Sequence, residues 1–271
     1  MEYLEVRPRP PLSRWVRCFW FLRDEPCAAP GAAEDVFPDG CSEIVLNLAD
    51  PFVHHGSGET RVQASRIVVG TITGPMRIGP TGRVDVVGIR LEPHAASAVL
   101  RVPCDELTDR TLPLDDLLPR GDWDARLHEE ADVEARARLL EKRMLERIDA
   151  RWTDPLVEMA SGIIADTRGA VTVDDLSRRL GVGHRRLERR FRARVGLAPK
   201  TLCRITRFQS VLNELQRREA RLAGVAARCG YHDQAHLTHD FRELAGRTPG
   251  SFLRSPDLLP RLFAGLAGTP S

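Results

Sequence analysis

Nine residues in the last third of this 271-residue chain have side chains suited to the edges of DNA bases. They fall in two short stretches: Arg185, Glu188, Arg189 and Arg192 in the first, and Gln234, Ala235, Thr238, His239 and Arg242 in the second. Arginine binds guanine O6 and N7, glutamine binds adenine N6 and N7, glutamate accepts from cytosine N4, and an alanine or threonine methyl contacts the thymine methyl. If each stretch is a helix that shows these residues on one face, the pattern predicts contacts in a DNA major groove.

A motif that occurs twice places these residues on one helix face. Leu187 and Phe191 recur as Leu237 and Phe241, and the arginine, glycine and proline that follow them recur at the same spacing. Leucine and phenylalanine four residues apart lie on one side of a helix and are expected in the core, so the opposite side falls on the nine residues. The repeat predicts two copies of one supersecondary unit.

The residues before each copy predict that this unit is a helix-turn-helix. The predicted segments are a helix over 173–180, a glycine turn at 181–183 and a helix over 184–195, then a helix over 222–229, a turn at Gly230 and a helix from the cap Asp233 through 245. In the first unit we expect Thr172 to cap its helix, with Asp175 as the partner in a capping box. Two such units with their second helices about 34 Å apart would reach successive major grooves.

A further helix is predicted between the two units, over residues 200–218. Its apolar residues have the spacing of a buried stripe: Leu202, Ile205, Phe208, Leu212 and Leu215. We expect this helix to hold the two units in a fixed relation.

Charge and helix signals divide the chain into three parts. The net charge is −7 over residues 1–150, +9 over 151–255 and 0 over 256–271. Positive charge confined to the repeat-bearing region is what an electrostatic footprint for phosphate requires. Near this boundary Asp154 can cap a new helix with Pro155 at its first position. We therefore predict an N-terminal domain over 1–150, a DNA-binding domain over 151–255 and a tail over 256–271.

The first ninety residues predict β structure. Apolar or alternating runs lie at 15–22, 43–48, 66–72 and 84–91, with turn sequences such as Pro-Asp-Gly between them. Their spacing predicts a sandwich or a cupin-like barrel, flanked by helices over 94–101 and 133–150, so the expected fold class of the chain is α+β. The apolar stripe of the second flanking helix has two interpretations: it packs on the β structure, or it pairs with its copy in a homodimer.

The region over residues 155–254 resembles the DNA-binding domain of the AraC/XylS family of bacterial transcription regulators. The paired units, the run Gly230-Tyr-His-Asp-Gln-Ala-His-Leu-Thr-His-Asp-Phe-Arg and the closing Gly246-Arg-Thr-Pro-Gly-Ser-Phe-Leu-Arg carry the resemblance. It implies a sequence-specific transcription factor whose partners are double-stranded DNA and RNA polymerase. It also implies that the nine residues contact bases while neighbouring helix ends and arginines hold phosphates. Leu202, Arg185 and Glu188 depart from the family pattern and bear on the base preference.

The N-terminal half looks like a sensor-type domain often attached to such DNA-binding regions. The segments 37–48 and 87–94 carry this looser resemblance, which implies a small-molecule effector that changes DNA occupancy or contact with the polymerase. Candidate effector residues in these segments are Glu43, Asn47, Arg90 and His94. Alternatively, these side chains satisfy loops or pair on the surface.

Histidine clusters raise the alternative of a metal site. His232 and His236 have the i, i+4 spacing of a zinc pair, and His54, His55 and Glu59 faintly echo a cupin metal motif. Consecutive strand residues point to opposite faces, so His54 and His55 are not expected to share a metal. We expect no metal, no cofactor and no catalytic site. The alternative function is a small-molecule-modifying, cupin-like metalloenzyme fused to a DNA-binding domain.

Composition indicates the compartment. No apolar run approaches the ~20 residues of a membrane span, and the start, Met-Glu-Tyr-Leu-Glu-Val, lacks the positive charge of a signal peptide. The six cysteines include no CxxC pair, which is typical of reduced, buried thiols. We therefore expect a cytoplasmic, nucleoid-associated protein without a membrane partner.

Overall fold

A computed structural model describes residues 2–24, 33–56, 59–216 and 221–254. The strands are β1 (Glu2–Val6), β2 (Val16–Asp24), β3 (Glu34–Val36), β4 (Glu43–Asn47), β5 (Phe52–His55), β6 (Thr60–Val62), β7 (Arg66–Val69), β8 (Met76–Pro80), β9 (Val84–Leu91) and β10 (Thr111–Pro113). The helices are α1 (Ala96–Leu100), α2 (Asp122–Glu129), α3 (Val133–Arg147), α4 (Pro155–Asp166), α5 (Val173–Leu180), α6 (His184–Val195), α7 (Pro199–Leu215), α8 (Leu222–Arg228), α9 (Gln234–Ala245) and α10 (Pro249–Arg254). Within these ranges no helix has the length and apolar character to cross a membrane. The predicted α+β fold class is confirmed.

The β structure forms two antiparallel sheets. The six-stranded sheet has the order β1-β2-β9-β4-β7-β10, and the four-stranded sheet has the order β3-β8-β5-β6. β1 and β10 lie at opposite edges of the larger sheet, so the sheet is not closed on itself. Of the two predicted architectures, the sandwich describes this domain and the barrel does not.

Side-chain alternation gives the six-stranded sheet two buried faces. Along β4, Ile44 and Leu46 lie in the core that includes α1, α2 and α3. Glu43, Val45 and Asn47 line a cavity on the other face, toward the four-stranded sheet. The larger sheet is therefore the central layer of the N-terminal half, between helices and the smaller sheet.

The apolar stripe of α3 packs inside its own domain. Ala137, Leu140 and Met144 are 3% exposed or less and share a core with β2, β4 and β9. Arg136 is buried beside them and donates two hydrogen bonds to Asp85, at 2.7 and 3.1 Å. Of the two interpretations of this stripe, packing on the sheet is observed. The pairing interpretation is wrong for these residues, because their contacts are already made within one chain.

The two predicted helix-turn-helix units are α5 with α6 and α8 with α9. Both helices of the first unit have the predicted bounds, and Gly181 closes α5 in a left-handed conformation with φ 62°. The Thr172 hydroxyl oxygen accepts from Asp175 N at 3.1 Å, as expected of a cap. The Asp175 carboxylate accepts from the Thr172 hydroxyl at 2.8 Å. This bond takes the place of the expected return bond to the backbone in a capping box.

The helix α7 lies between the two units, and its predicted apolar stripe is buried. The stripe residues are all 4% exposed or less: Leu202, Ile205, Phe208, Leu212 and Leu215. The predicted helix end at residue 218 lies outside the described residues, as do Cys27 and the tail over 256–271. The five cysteines within the described ranges are buried free thiols.

An aromatic cluster joins the helical half to the N-terminal half. The ring centroid of Phe208 lies 5.2 Å from that of Phe241 and 5.8 Å from that of Phe37, and Phe252 lies 5.8 Å from Phe241. Phe37 follows β3, whereas the other three belong to α7, α9 and α10. Aromatic pairs at such separations contribute about 0.5–1.5 kcal/mol each beyond the area they bury. The two halves therefore share part of one hydrophobic core.

One buried carboxylate ties α6 to α4. Asp154 caps α4 by accepting from Leu156 N at 3.1 Å and Val157 N at 3.4 Å, and Pro155 is the first helical residue, as predicted. The same carboxylate accepts two hydrogen bonds from the Arg190 guanidinium of α6, at 2.6 and 2.7 Å. Asp154 is 8% exposed, whereas the Arg190 side chain is 33% exposed, so water reaches this pair only from the arginine side.

We predict that Asp154→Ala lowers the free energy of unfolding by about 2–4 kcal/mol, because it removes a helix cap and leaves Arg190 without its buried partner. Asp154→Asn keeps the capping oxygen but loses the charge and one of the two acceptors of Arg190, so its effect is expected to be smaller than that of Asp154→Ala. Urea unfolding followed by circular dichroism measures both free energies. Equal stability of Asp154→Ala and the unsubstituted protein would contradict this role.

Candidate nucleic-acid interface

The exposed face of α6 carries the four predicted residues of the first stretch: Arg185, Glu188, Arg189 and Arg192. Leu187 and Phe191 are fully buried on the other side of the helix. Glu188 accepts a hydrogen bond from Arg192 at 3.0 Å. The face therefore presents three guanidinium groups and one carboxylate along two turns of helix.

The start of α6 suits an anion. Gly183 is its N-cap residue and provides no side-chain oxygen to the first N–H groups of the helix. Such a helix start combines unpaired donors with partial positive charge, which favours a phosphate oxygen. This position agrees with the implied phosphate contacts at helix ends, which stay a prediction.

The exposed face of α9 carries the second stretch with a different chemistry. Gln234, Ala235, His239 and Arg242 are exposed, and Thr238 is half-buried. Thr238 donates its hydroxyl to Gln234 O at 2.8 Å. His239 Nε2 lies 3.3 Å from Glu243 Oε1, one helical turn further on. This face has one guanidinium group where that of α6 has three.

Ion pairs fix the orientation of α9 on α7. Asp240 is 3% exposed and accepts from Arg204 at 2.8 Å. Glu243 is also bound by Arg204, and this bond holds the pKa of Glu243 below its usual value. Arg207 lies 3.9 Å from Asp240, with its guanidinium 5.4 Å from the ring centroid of Tyr231. These contacts fix the rotation of α9 about its axis and so decide which of its residues face outward.

The histidines near α9 have individual local partners. Asp233 caps α9 by accepting from His236 N at 2.7 Å, and its carboxylate lies 3.1 Å from His232 Nδ1. The His236 ring stands edge-on to Tyr231, with centroids 5.1 Å apart. Across the described ranges, no group of three His, Cys, Asp or Glu side chains is arranged to hold a metal ion. His232 and His236 therefore contact different partners, Asp233 and Tyr231.

Three of the four candidate effector residues line one cavity. Glu43, Asn47 and Arg90 lie around a space of about 80 Å³ between the two sheets. Apolar side chains form much of its wall: Trp20, Leu22, Phe52, Ile67, Ile78 and Val86. His94 is not among the residues that line this cavity. His94 lies past the end of β9, where strand alternation no longer directs it between the sheets, and its Nε2 is 3.0 Å from Arg14 O.

Carboxylates outnumber the guanidinium group at the polar end of this cavity. Arg90 Nε lies 2.6 Å from Glu43 Oε1 and 3.2 Å from Asp39 Oδ2, and Arg90 Nη1 lies 3.6 Å from Glu5 Oε1. Burial raises the pKa of Glu43, because desolvation disfavours its charged form. Asn47 is 4% exposed, and neither atom of its side-chain amide has a hydrogen-bond partner among the described residues. The cavity therefore combines an acidic end with an amide that has bonding capacity to spare.

Comparison with known proteins finds one matching family model in each half of the chain. Residues 4–113 match a domain of unknown function, DUF6597, and residues 176–255 match a helix-turn-helix domain. Over 110 residues the chain is 29% identical to a putative AraC-like transcription regulator of Streptomyces lividans, in an alignment that covers 40% of this chain and 36% of that protein. The matched stretch thus spans little more than a third of that curated relative.

The structure of ToxT from Vibrio cholerae is similar in fold, with a TM-score of 0.50 and 11% identity over 86% of this chain and 97% of that chain. The DNA-binding domain of AdpA, solved in complex with a target DNA, is 27% identical, with a TM-score of 0.34 over 37% of this chain and 91% of that chain. The chain therefore combines an N-terminal β domain with a helix-turn-helix domain, and it is similar to a putative AraC-like transcription regulator.

We predict that Arg189→Ala and His239→Ala each weaken binding to a preferred DNA site, by about 1–3 kcal/mol for a good base contact, and relax base preference at one position. Each change removes an exposed side chain from a different helix face. Arg138→Ala is the control, because it removes an exposed arginine from α3 in the N-terminal half. Binding-site selection with the three variants measures both effects. Wild-type selectivity in both test variants would show that the helix faces are assigned wrongly.

Proposed function

We propose that this protein is a transcription regulator that binds double-stranded DNA at a directional site and responds to a small-molecule effector. One observation supports the directional site most directly. The helices α6 and α9 are held by equivalent buried leucine and phenylalanine residues, yet their exposed faces differ in composition and charge. Equivalent scaffolds with unlike faces suit two different base sequences in successive major grooves.

The proposed base contacts follow from the chemistry of each face. Arg185, Arg189 and Arg192 on α6 suit the O6 and N7 atoms of guanines. On α9, Gln234 suits adenine and Ala235 suits a thymine methyl. The net charge of +9 over residues 151–255 supports additional, sequence-independent affinity for phosphates, which weakens as salt rises. We therefore expect base selection from the two helix faces and much of the affinity from the surrounding arginines.

The proposed division of labour follows the predicted domains. Residues 151–255 bind DNA, and residues 1–150 hold the effector in the cavity lined by Glu43, Asn47 and Arg90. At a promoter, such a regulator acts through occupancy of the DNA or through contact with RNA polymerase. An effector influences either step only by binding two states of the protein with different affinities.

The N-terminal geometry does not favour the alternative metalloenzyme. His54 and His55 are consecutive residues of β5, so their side chains point to opposite faces of the strand. Glu59, the third member of the motif, lies 2.7 Å from the Arg61 guanidinium. The proposal is therefore a domain that binds its effector without modifying it.

We predict that selection from random DNA with the full chain enriches a site with two unlike elements about 10 base pairs apart in a fixed order. The variant that combines Arg189→Ala with His239→Ala is the control, and it should relax base preference at one position in each element while keeping affinity for phosphates. Two identical elements, or no enrichment over the input library, would contradict the proposal.

A further inference from the structure

Two stretches of the cavity wall also contact the DNA-binding half. The first wall segment, residues 36–41, lines the cavity through Val36, Phe37, Asp39 and Cys41. The second wall segment, residues 69–76, lines it through Val69, Gly70, Ile72 and Met76. Both segments are largely loops, and each one has a second surface turned toward the helices of the other half.

The first wall segment is inserted into the core of the helical half. Phe37 is 6% exposed, and its ring centroid lies 5.8 Å from Phe208 of α7 and 5.9 Å from Phe252 of α10. Gln209, on α7, donates its side-chain amide to Pro38 O at 2.5 Å. A displacement of Phe37 toward or away from the cavity therefore changes the packing of the helix between the two units.

The second wall segment touches the C-terminal ends of α6 and α9, the two recognition helices. Thr71 donates its hydroxyl to Val195 O, the last residue of α6, at 3.4 Å. Gly196 and Gly246 close α6 and α9 in left-handed conformations, with φ 85° and 68°. A Cβ on Gly196 would lie 2.8 Å from Thr71 Oγ1, and a Cβ on Gly246 would lie 3.3 Å from Pro75 Cγ. One loop of the N-terminal domain thus abuts both recognition helices.

The cavity is too small for a ligand unless a wall moves. Its volume is about 80 Å³, whereas an engineered cavity of about 150 Å³ holds one benzene molecule. The sheet walls are fixed by the hydrogen-bonded ladder β2-β9-β4-β7. The first wall segment leaves the sheet after Val36, and the second remains bonded to residues 109–110 through Gly70 and Thr71 and leaves the ladder over residues 72–75. A bound ligand with one ring is therefore expected to push on the segments that contact the recognition helices.

The polar end of the cavity restricts the chemistry of the ligand. Arg90 is already paired with Glu43 and Asp39, so a ligand carboxylate there would approach two carboxyl groups and compete for one guanidinium. A hydroxyl or amine donor at this end can bond to a carboxylate oxygen. The spare oxygen of the Asn47 amide can accept from a donor at the other end of β4, four residues from Glu43. The acidic surroundings favour a donor, neutral or cationic, over an anion.

We propose that this cavity binds a small, largely apolar molecule through a neutral or cationic hydrogen-bond donor, and that the ligand shifts both wall segments and thereby the two recognition helices. The proposal rests on the proposed function, since it names the class of effector and the route by which it acts. A ligand larger than the cavity displaces the wall segments, and this displacement changes the positions of α6 and α9.

The ligand class is tested with three probes that share one ring: phenol, benzylamine and benzoate. Calorimetry on the full chain at ligand concentrations up to about 10 mM detects Kd values of about 1 mM or below. We expect phenol or benzylamine to bind and benzoate to bind at least about tenfold more weakly. Benzoate binding as tightly as the other two, or no binding of phenol and benzylamine, would overturn the ligand class.

The route is tested with two substitutions on neighbouring residues of β4. Val45→Phe adds volume inside the cavity and is expected to change the Kd for the selected DNA by about tenfold. Leu46→Phe adds volume on the opposite face of the same strand, in the other core, and is expected to leave the Kd within about twofold. If Val45→Phe does not fold, Val86→Leu adds one methylene to the same cavity. In the Gln209→Ala background, where the bond to Pro38 is lost, the effect of the cavity substitution should decrease.

The outcomes separate this proposal from the proposed function. If the unsubstituted chain selects no DNA, the proposed function fails. If the chain selects DNA but the cavity substitution and Leu46→Phe change the Kd equally, the function stands and the route through the wall segments is overturned. Circular dichroism of each variant confirms that the compared proteins are folded.

Discussion

The relative position of the two helix-turn-helix units depends on the aromatic contacts around Phe208. This residue lies on the helix between the units, and its ring contacts Phe241 of the second recognition helix and Phe37 of the N-terminal half. Aromatic side chains in contact leave little freedom to slide, because interiors are packed near crystal density. Arg204 and Arg207 then fix the rotation of the second unit through the buried Asp240. The packing of the core therefore determines the distance between the exposed faces of α6 and α9.

This arrangement joins the N-terminal half directly to the helical half. Phe37 belongs at once to the wall of the N-terminal cavity and to the core of the helical half. The loop from Gly70 to Pro75 also lines the cavity, and it lies against Gly196 and Gly246, which end the two recognition helices. A change of cavity shape therefore reaches both units through direct contacts, and a packed interface responds to small shifts by changing between discrete arrangements.

The sequence predicted the helical half more completely than the β half, for physical reasons. Leu187, Phe191 and their repeats fix a helix face over several turns, so the exposed residues followed from spacing, and the glycine turn at 181–183 set the start of α6. Short strands such as β3 and β6 have three residues each, too few for alternation to be recognised. Strand alternation brought Glu43, Asn47 and Arg90 together, but not His94. The contact of Phe37 with α7 joins residues about 170 positions apart, a pairing that local patterns do not reveal.

Hydroxyl-radical footprinting of the full chain on its selected DNA measures where the two helix-turn-helix units lie on one duplex. We expect two protected windows on the same side of the DNA helix, about one turn or 10 base pairs apart, that contain unlike sequences. A single window, or two windows on opposite sides of the duplex, would contradict a fixed pair of recognition helices that bind successive major grooves.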